Sequence, residues 1–237
     1  MPRIKHKSVG EVGYTISNGK LTLHDNWAKN NIVTVEIPAL KGADVGGGKK
    51  SSGKVQWFKG AVYQLQKAFE EVEARGLGHL ILSYAGSFYP RPIRGSTRTP
   101  SEHSFGTAFD INAAWNGLNR EPAARGEKGS VRELVEIFER WGFRWGGNFR
   151  RRDAMHFEVA RIITPADSIE APEHKAPSTP RVIVNGQTLR TGKIAVSTDG
   201  QLVLAGVRET LEAVGLTVQA AKLPDGSFDI SAYREAR

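Results

Sequence analysis

The chain is predicted to be an α+β protein with a main domain and a small α+β companion, on three observations. Apolar residues recur at helical spacing in two segments, one beginning at Trp57 and one after Ser130. Between them lie short runs rich in β-branched and aromatic residues, the pattern of strands. After Ile163 the composition turns to repeated proline with small and polar residues, which marks a boundary.

The elements follow in order. Residues 1 to about 56 are rich in Gly, Asn and Lys, with one clear strand at 31–37, ended by Pro38. The 46–53 run reads as a solvated flexible loop, because it lacks the Gly-Lys-Ser/Thr ending of a phosphate cradle. Over 57–75, Phe58, Val62, Leu65, Phe69 and Val72 share one helical face, most of the charges fall on the other, and Gly76 stops the helix. Residues 79–84 read as a buried strand leading into a loop at 88–95. A strand over 106–112 sends Phe109 and Ile111 to the core, with Ala108, Asp110 and Asn112 on the opposite face. Ser130 is placed to cap the second helix, with Glu133 at capping-box spacing and Leu134, Val135, Ile137 and Phe138 inward, up to Gly142. In 156–159 the alternation puts His156 and Glu158 together and buries Phe157 and Val159. The expected organisation is a domain over 1–165, a linker over 166–180 and a module over 181–237. The module is expected to hold a hairpin turning at Asn185-Gly186, strands near 194–196, 202–204 and 216–219, and a helix over 207–214.

Composition narrows the function. The 237 residues, 39% hydrophobic and 24% charged, suit a soluble globular protein. No apolar run is long enough to span a bilayer, so no membrane insertion is expected. The opening residues have no apolar segment resembling a signal peptide, so the expectation is synthesis in the cytoplasm and release by another agent. Absence of cysteine excludes disulfides, thiolate zinc sites and cysteine nucleophiles. A net charge of +8 favours polyanionic partners, among which nucleic acid and an anionic cell wall both qualify. No stacking-aromatic or recognition-helix motif supports nucleic acid.

Two runs concentrate the chemistry. Ser101, His103 and Asp110 lie in the first, and Asp153, His156 and Glu158 in the second. Two imidazoles and a carboxylate suit zinc, whose catalytic sites take three protein ligands and leave a position for water. Asp153, three residues before His156, is placed to take a proton from the attacking water and pass it to a leaving amine. Arg91 or Arg94 upstream offers a positive partner for an oxyanion. Singly, each has an ordinary reading as a core, capping or solvated residue, and only the joint pattern points to a site. His6, His24, His79 and His174 have no such neighbours and read as structural or surface residues.

These residues resemble the zinc D-Ala-D-Ala carboxypeptidase and L-alanyl-D-glutamate endopeptidase family, which includes phage endolysins and shares the hedgehog/DD-peptidase fold. Its pattern, Ser-x-His, six residues, Asp, then Asp or Glu-x-x-His and an aromatic, is filled by Ser101, His103, Asp110, Asp153, His156 and Phe157. The arginine-bearing run 84–96 and the Phe143, Trp145, Gly146, Gly147 approach to the second histidine are similar too, so the likeness spans residues 26–160. The resemblance implies a small, mostly antiparallel sheet with flanking helices. It makes His103, Asp110 and His156 ligands of Zn2+, and Asp153 the general base. Arg91, with Arg94 second, becomes the oxyanion arginine, and Ser101 and Arg94 contact substrate. Glu158 reads as the partner that orients a histidine. The implied partner is peptidoglycan, cut as by an endolysin at the cell wall after release, and a phage origin is consistent with this. Aspartate at 153 resembles the endopeptidase members more than the dipeptidases. Two alternatives stay open: a D-Ala-D-Ala carboxypeptidase, and a non-catalytic wall- or nucleic-acid-binding protein. The terminal module loosely resembles bacterial stalk modules and reads as a wall-binding, dimerising or merely packing unit.

Overall fold

In the computed structural model the described residues are 3–167, together with the backbone of six short strands in the remainder. The chain divides into two compact units, Met1–Ile169 and Glu170–Arg237. The class is α+β, with small antiparallel sheets and three α-helices among the described residues. No helix among them is long and apolar enough to cross a membrane.

The first unit opens with a three-stranded antiparallel meander, β1 (Arg3–His6), β2 (Gly10–Ser17) and β3 (Lys20–Leu23), which the Gly- and Lys-rich composition had concealed. A short helix α1 (Trp27–Asn31) leads into β4 (Ile32–Glu36), the strand expected at 31–37. β4 pairs with β7 (Lys54–Phe58). Between them β5 (Asp44–Gly46) and β6 (Lys49–Lys50) form a small hairpin, so the segment read as a flexible loop is in part ordered structure.

Trp57 and Phe58, expected to begin a helix, belong to β7; helix α2 runs Val62–Ala74 with Leu65, Phe69 and Val72 buried as its periodicity requires. The strand expected at 79–84 is also corrected. Residues Gly78–Leu80 form a 3-10 turn, and the strand β8 covers only Tyr84–Gly86. The apolar run has other work here: Leu82 and Ser83 donate their backbone N–H groups to the side-chain carbonyl of Asn112, at 2.8 and 3.1 Å. Asn112 has a left-handed φ of 53° and ends its strand instead of extending it. That strand, β9, is Ala108–Ile111.

Helix α3 (Arg132–Arg140) starts beyond Ser130, whose hydroxyl accepts from Arg132 N–H at 3.2 Å and donates to Glu133 at 2.6 Å. Leu134, Ile137 and Phe138 are buried; Val135 is only partly so. β10 (Phe143–Trp145) and β11 (His156–Val159) complete a four-stranded antiparallel sheet in the order β10-β11-β9-β8. Phe109 of β9 lies directly opposite Phe157 of β11, their rings stacked at 5.4 Å. Phe69 of α2 packs 5.3 Å from Phe109, and Phe138 of α3 packs 4.8 Å from Phe157, so both helices close on this pair. Gln64 of α2 is fully buried, donating to the Trp141 carbonyl at 3.0 Å and accepting from Ile163 N–H at 3.0 Å, which binds the end of the unit to the helix.

In the second unit β12 (Val182–Val184) pairs with β13 (Gln187–Leu189), β14 (Ala195–Val196) with β15 (Leu202–Val203), and β16 (Thr217–Lys222) with β17 (Phe228–Tyr233), all antiparallel. β17 was not anticipated. The helix expected over 207–214 and all of the linker except Ala166 and Asp167 lie outside the described residues.

Phe157→Ala is expected to destabilise the first unit by about 3–5 kcal/mol, the cost of truncating a fully buried aromatic. All five tryptophans lie before residue 150, so urea unfolding followed by tryptophan emission reads this unit alone.

Candidate metal centre

His103 sits on a single 3-10 turn, Glu102–Phe105, closed by Gly106 at φ 63°. No other residue fits at Gly106 readily: a Cβ there would lie 2.8 Å from Ile32 Cδ1 and 3.0 Å from Phe58 N. The close approach lets Phe58 N–H donate to the Gly106 carbonyl at 2.9 Å, which holds the turn against the β4-β7 ribbon. The imidazole is buried, and its Nδ1 donates to the Ser87 carbonyl at 2.8 Å. That bond fixes Nδ1 as a donor and turns Nε2 toward the site, the nitrogen that a metal would take.

Strand register supplies the rest. Asp110 of β9 stands directly opposite His156 of β11. His103 Nε2, Asp110 Oδ1 and His156 Nδ1 form a nearly equilateral triangle, with edges of 3.1 Å from His103 to Asp110, 2.9 Å from Asp110 to His156 and 3.1 Å between the imidazoles. A tetrahedral zinc with bonds of about 2.0–2.2 Å needs ligand edges of about 3.3–3.6 Å, so the three atoms need spread only a few tenths of an ångström to hold it. The donor set is one that zinc takes, and these three residues could hold a metal ion.

The outer partners are equally specific. His156 Nε2 lies 2.9 Å from Glu158 Oε2, and Glu158 in turn accepts from Arg144 Nε at 2.6 Å. Burial alone would raise the Asp110 pKa, but hydrogen bonds from His103 and His156 outweigh it and hold the carboxyl well below the usual carboxylate range. Burial would lower His156, yet its bonds to Asp110 and Glu158 push it up to about 10. Burial likewise opposes ionisation of Glu158, and the hydrogen bond and charge of His156, with the charge of Arg144, prevail to lower it.

Asp153 is presented by a loop pinched at its base. Asp153 N–H donates to the Gly146 carbonyl at 2.9 Å, and a Cβ at Gly146 would overlap the Asp153 carbonyl. The indole of Trp145 donates to Ala154 O at 2.6 Å from the other side. Asp153 Oδ1 is buried without a hydrogen-bond partner. Burial raises the Asp153 pKa and the charge of Asp110 adds to this, against His156, His103 and Arg94. A partnerless carboxylate oxygen with increased proton affinity beside a possible metal triangle is suited to hold a water and its proton.

The arginines sit on the loop before the first histidine. Arg91 is half-buried, its backbone bound in both directions to the Ser104 hydroxyl (3.0 and 2.7 Å) and its carbonyl held by Ser101 N–H at 3.0 Å. Its guanidinium lies 3.4 Å from the Pro92 carbonyl. Arg94 is exposed, and its charge reaches Asp153. Ser101 is buried and makes no side-chain cap to the turn that follows it. His6, read as structural, is so in a particular way: its Nδ1 accepts from Ser8 and Val9 N–H, which leaves Nε2 to donate to Glu102, 3.0 Å from both carboxylate oxygens. The residue next to His103 is thereby tied to the N-terminal meander. Sequence reasoning did not find this tie, nor the Ser87 carbonyl, since a backbone acceptor leaves no trace in residue identity.

Residues 94–159 match the model of a family described as D-alanyl-D-alanine carboxypeptidase, a family of zinc peptidases. The matched segment holds Arg94, His103, Asp110, Asp153 and His156. Neither the curated proteins nor the solved structures gave a match.

Zinc at His156 Nδ1 must displace a proton that the metal-free ring keeps up to pH of about 10. Zinc binding near pH 8 is therefore expected to release about one proton from His156, and affinity to rise up to tenfold per pH unit below that pKa and level off above it. Calorimetry in buffers of different ionisation enthalpy measures the released proton. Glu158→Gln is expected to weaken zinc about 10–100-fold by loosening the His156 ring, as read by competition with a chelating dye.

Proposed function

We propose that this chain is a zinc-dependent peptidase that hydrolyses a peptide bond in the stem peptides of peptidoglycan, as an endopeptidase of the L-alanyl-D-glutamate type. The observation that carries this is the triangle of His103, Asp110 and His156 with the partnerless Asp153 carboxylate beside it, inside the matched segment. His103 through Nε2, Asp110 through Oδ1 and His156 through Nδ1 would hold the ion. When bound, zinc lowers the pKa of a coordinated water toward about 7 and polarises the scissile carbonyl.

The chain's own groups do the rest. Asp153, with its raised pKa, accepts a proton from the attacking water at Oδ1 and returns it to the leaving amine nitrogen. Arg91 supports the developing oxyanion from a loop held rigid by Ser104 and Ser101. Arg94, whose charge reaches Asp153, contacts the substrate and serves as the second candidate for the oxyanion. Ser101 orients the substrate by fixing the Arg91 carbonyl. Glu158 and Ser87 keep the two imidazoles in the metal-binding tautomer.

The net charge of +8 suits an anionic wall as partner, and on this reading the chain acts there after release, in the manner of a phage-encoded lysin. The second unit would add wall contact. A second reading, D-Ala-D-Ala carboxypeptidase, is favoured by the description of the matched family. Mass analysis of digested muropeptides separates the two: new internal amino termini support the endopeptidase, and release of terminal D-alanine the carboxypeptidase. Asp153→Ala is expected to keep about one zinc per chain and to lose about 10²–10⁴-fold in turnover. Loss of zinc in that variant would make Asp153 a ligand and overturn its assignment as the base.

A further inference from the structure

A cleft of about 810 Å³ opens between the β2-β3 turn and the loop that carries the two arginines. Its lining includes Lys20, Arg91 and Arg94 and no aspartate or glutamate. Three cations with no carboxylate among the lining residues focus positive potential in this concavity and favour an anionic ligand. Two of the four exposed large hydrophobic residues in the described part of the chain, Tyr89 at 66% and Ile93 at 43%, also face it. Exposed apolar groups beside cations suit a chain that carries both carboxylates and hydrocarbon, such as an acidic peptide.

Both walls are fixed to the histidine-bearing turn. Tyr89 N–H donates to the His103 carbonyl at 2.9 Å, and Arg91 is held through Ser104 and Ser101. The opposite wall belongs to the N-terminal meander, which lies outside the matched segment and is tied to Glu102 through His6. His6 also packs 4.8 Å from the Phe105 ring of the same turn. The meander contributes no ligand to the metal triangle, and its tie to Glu102 fixes the wall that it lends to this cleft. Arg94 belongs to both places, lining the cleft while its charge reaches Asp153.

We propose that this cleft is a substrate subsite for the free carboxylates of the stem peptide, held by Lys20 and Arg94 and flanked by Tyr89 and Ile93. The identity of the peptide rests on the peptidase reading of the adjoining centre; the preference for carboxylate rests on the cleft alone. Lys20 sits at a solvent-exposed hairpin position, so its charge can be reversed without disturbing the fold.

The test measures binding of two labelled stem-peptide fragments, one with free carboxylates and one with them amidated, to the full-length zinc-loaded Asp153→Ala protein. The free form is expected to bind more tightly. Adding Lys20→Glu is expected to weaken the free form about five- to tenfold and leave the amidated form unchanged. Lys29→Glu, a control reversal on α1, is expected to change neither. Equal binding of the two fragments, or no effect of Lys20→Glu, overturns the subsite. Turnover by the wild-type protein is followed in parallel. Cleavage with no carboxylate preference refutes the subsite alone, whereas carboxylate-dependent binding with no cleavage refutes the peptidase reading and supports the cleft.

Discussion

The pairing of Phe109 with Phe157 across β9 and β11 is the contact on which the rest depends. The two rings stack in the core, Phe69 and Phe138 close on them, and their register is the register of the neighbouring pair, Asp110 and His156. Side chains alternate along a strand, so a slip of either strand by one residue would turn its polar group into the aromatic cluster and its ring out of it. The hydrophobic face therefore positions the polar one. Deep burial of the phenylalanines makes the Asp110-His156 juxtaposition a property of the fold, independent of any ion.

That juxtaposition carries an electrostatic cost which the surroundings offset. Asp110, His156 and Glu158 are largely withdrawn from water, and an unpaired charge there would be strongly unfavourable. Instead the imidazolium of His156 stands between two carboxylates, and Arg144 answers the outer one. In the metal-free protein a proton occupies the role that the donor set would offer to a cation. Exchange of one for the other keeps the positive charge in place, so the pocket is organised before any ion enters.

Much of this was legible in the sequence, for identifiable reasons. Strict alternation around Asp110 and His156 named the two strands, and the spacing of His103, Asp110, Asp153 and His156 named the constellation; the structure brings the triangle together as that spacing implied. Glu158 was read as the orienting partner because it shares a strand face with His156, and it is found bonded to that ring. What escaped was structure made by backbone and by distant pairing. The meander of β1 to β3 does alternate, with Val12, Tyr14 and Ile16 along β2 and Leu21 and Leu23 along β3, but its strands are short and broken by Gly, Asn and Lys, and the β5-β6 hairpin is disguised by its glycines. The apolar run at 79–84 resembled a strand, but its backbone donors go to the side chain of Asn112, a tertiary contact no local pattern encodes. The cleft beside the centre joins residues about 70 positions apart and could not be inferred from either segment alone.

The pinch between Gly146 and Asp153 has a further meaning. The chain leaves the sheet at Gly146, travels through a basic, aromatic loop and returns to within a hydrogen bond of where it departed. Whatever happens inside such an excursion is closed off at its base: residues can be added, removed or exchanged between the two ends while the carboxylate they precede stays where it is. The loop is thus a place where sequence can drift over evolutionary time while the Asp153 carboxylate keeps its position beside the triangle. It is also where an engineered insertion would be accommodated while the geometry of the triangle stays intact.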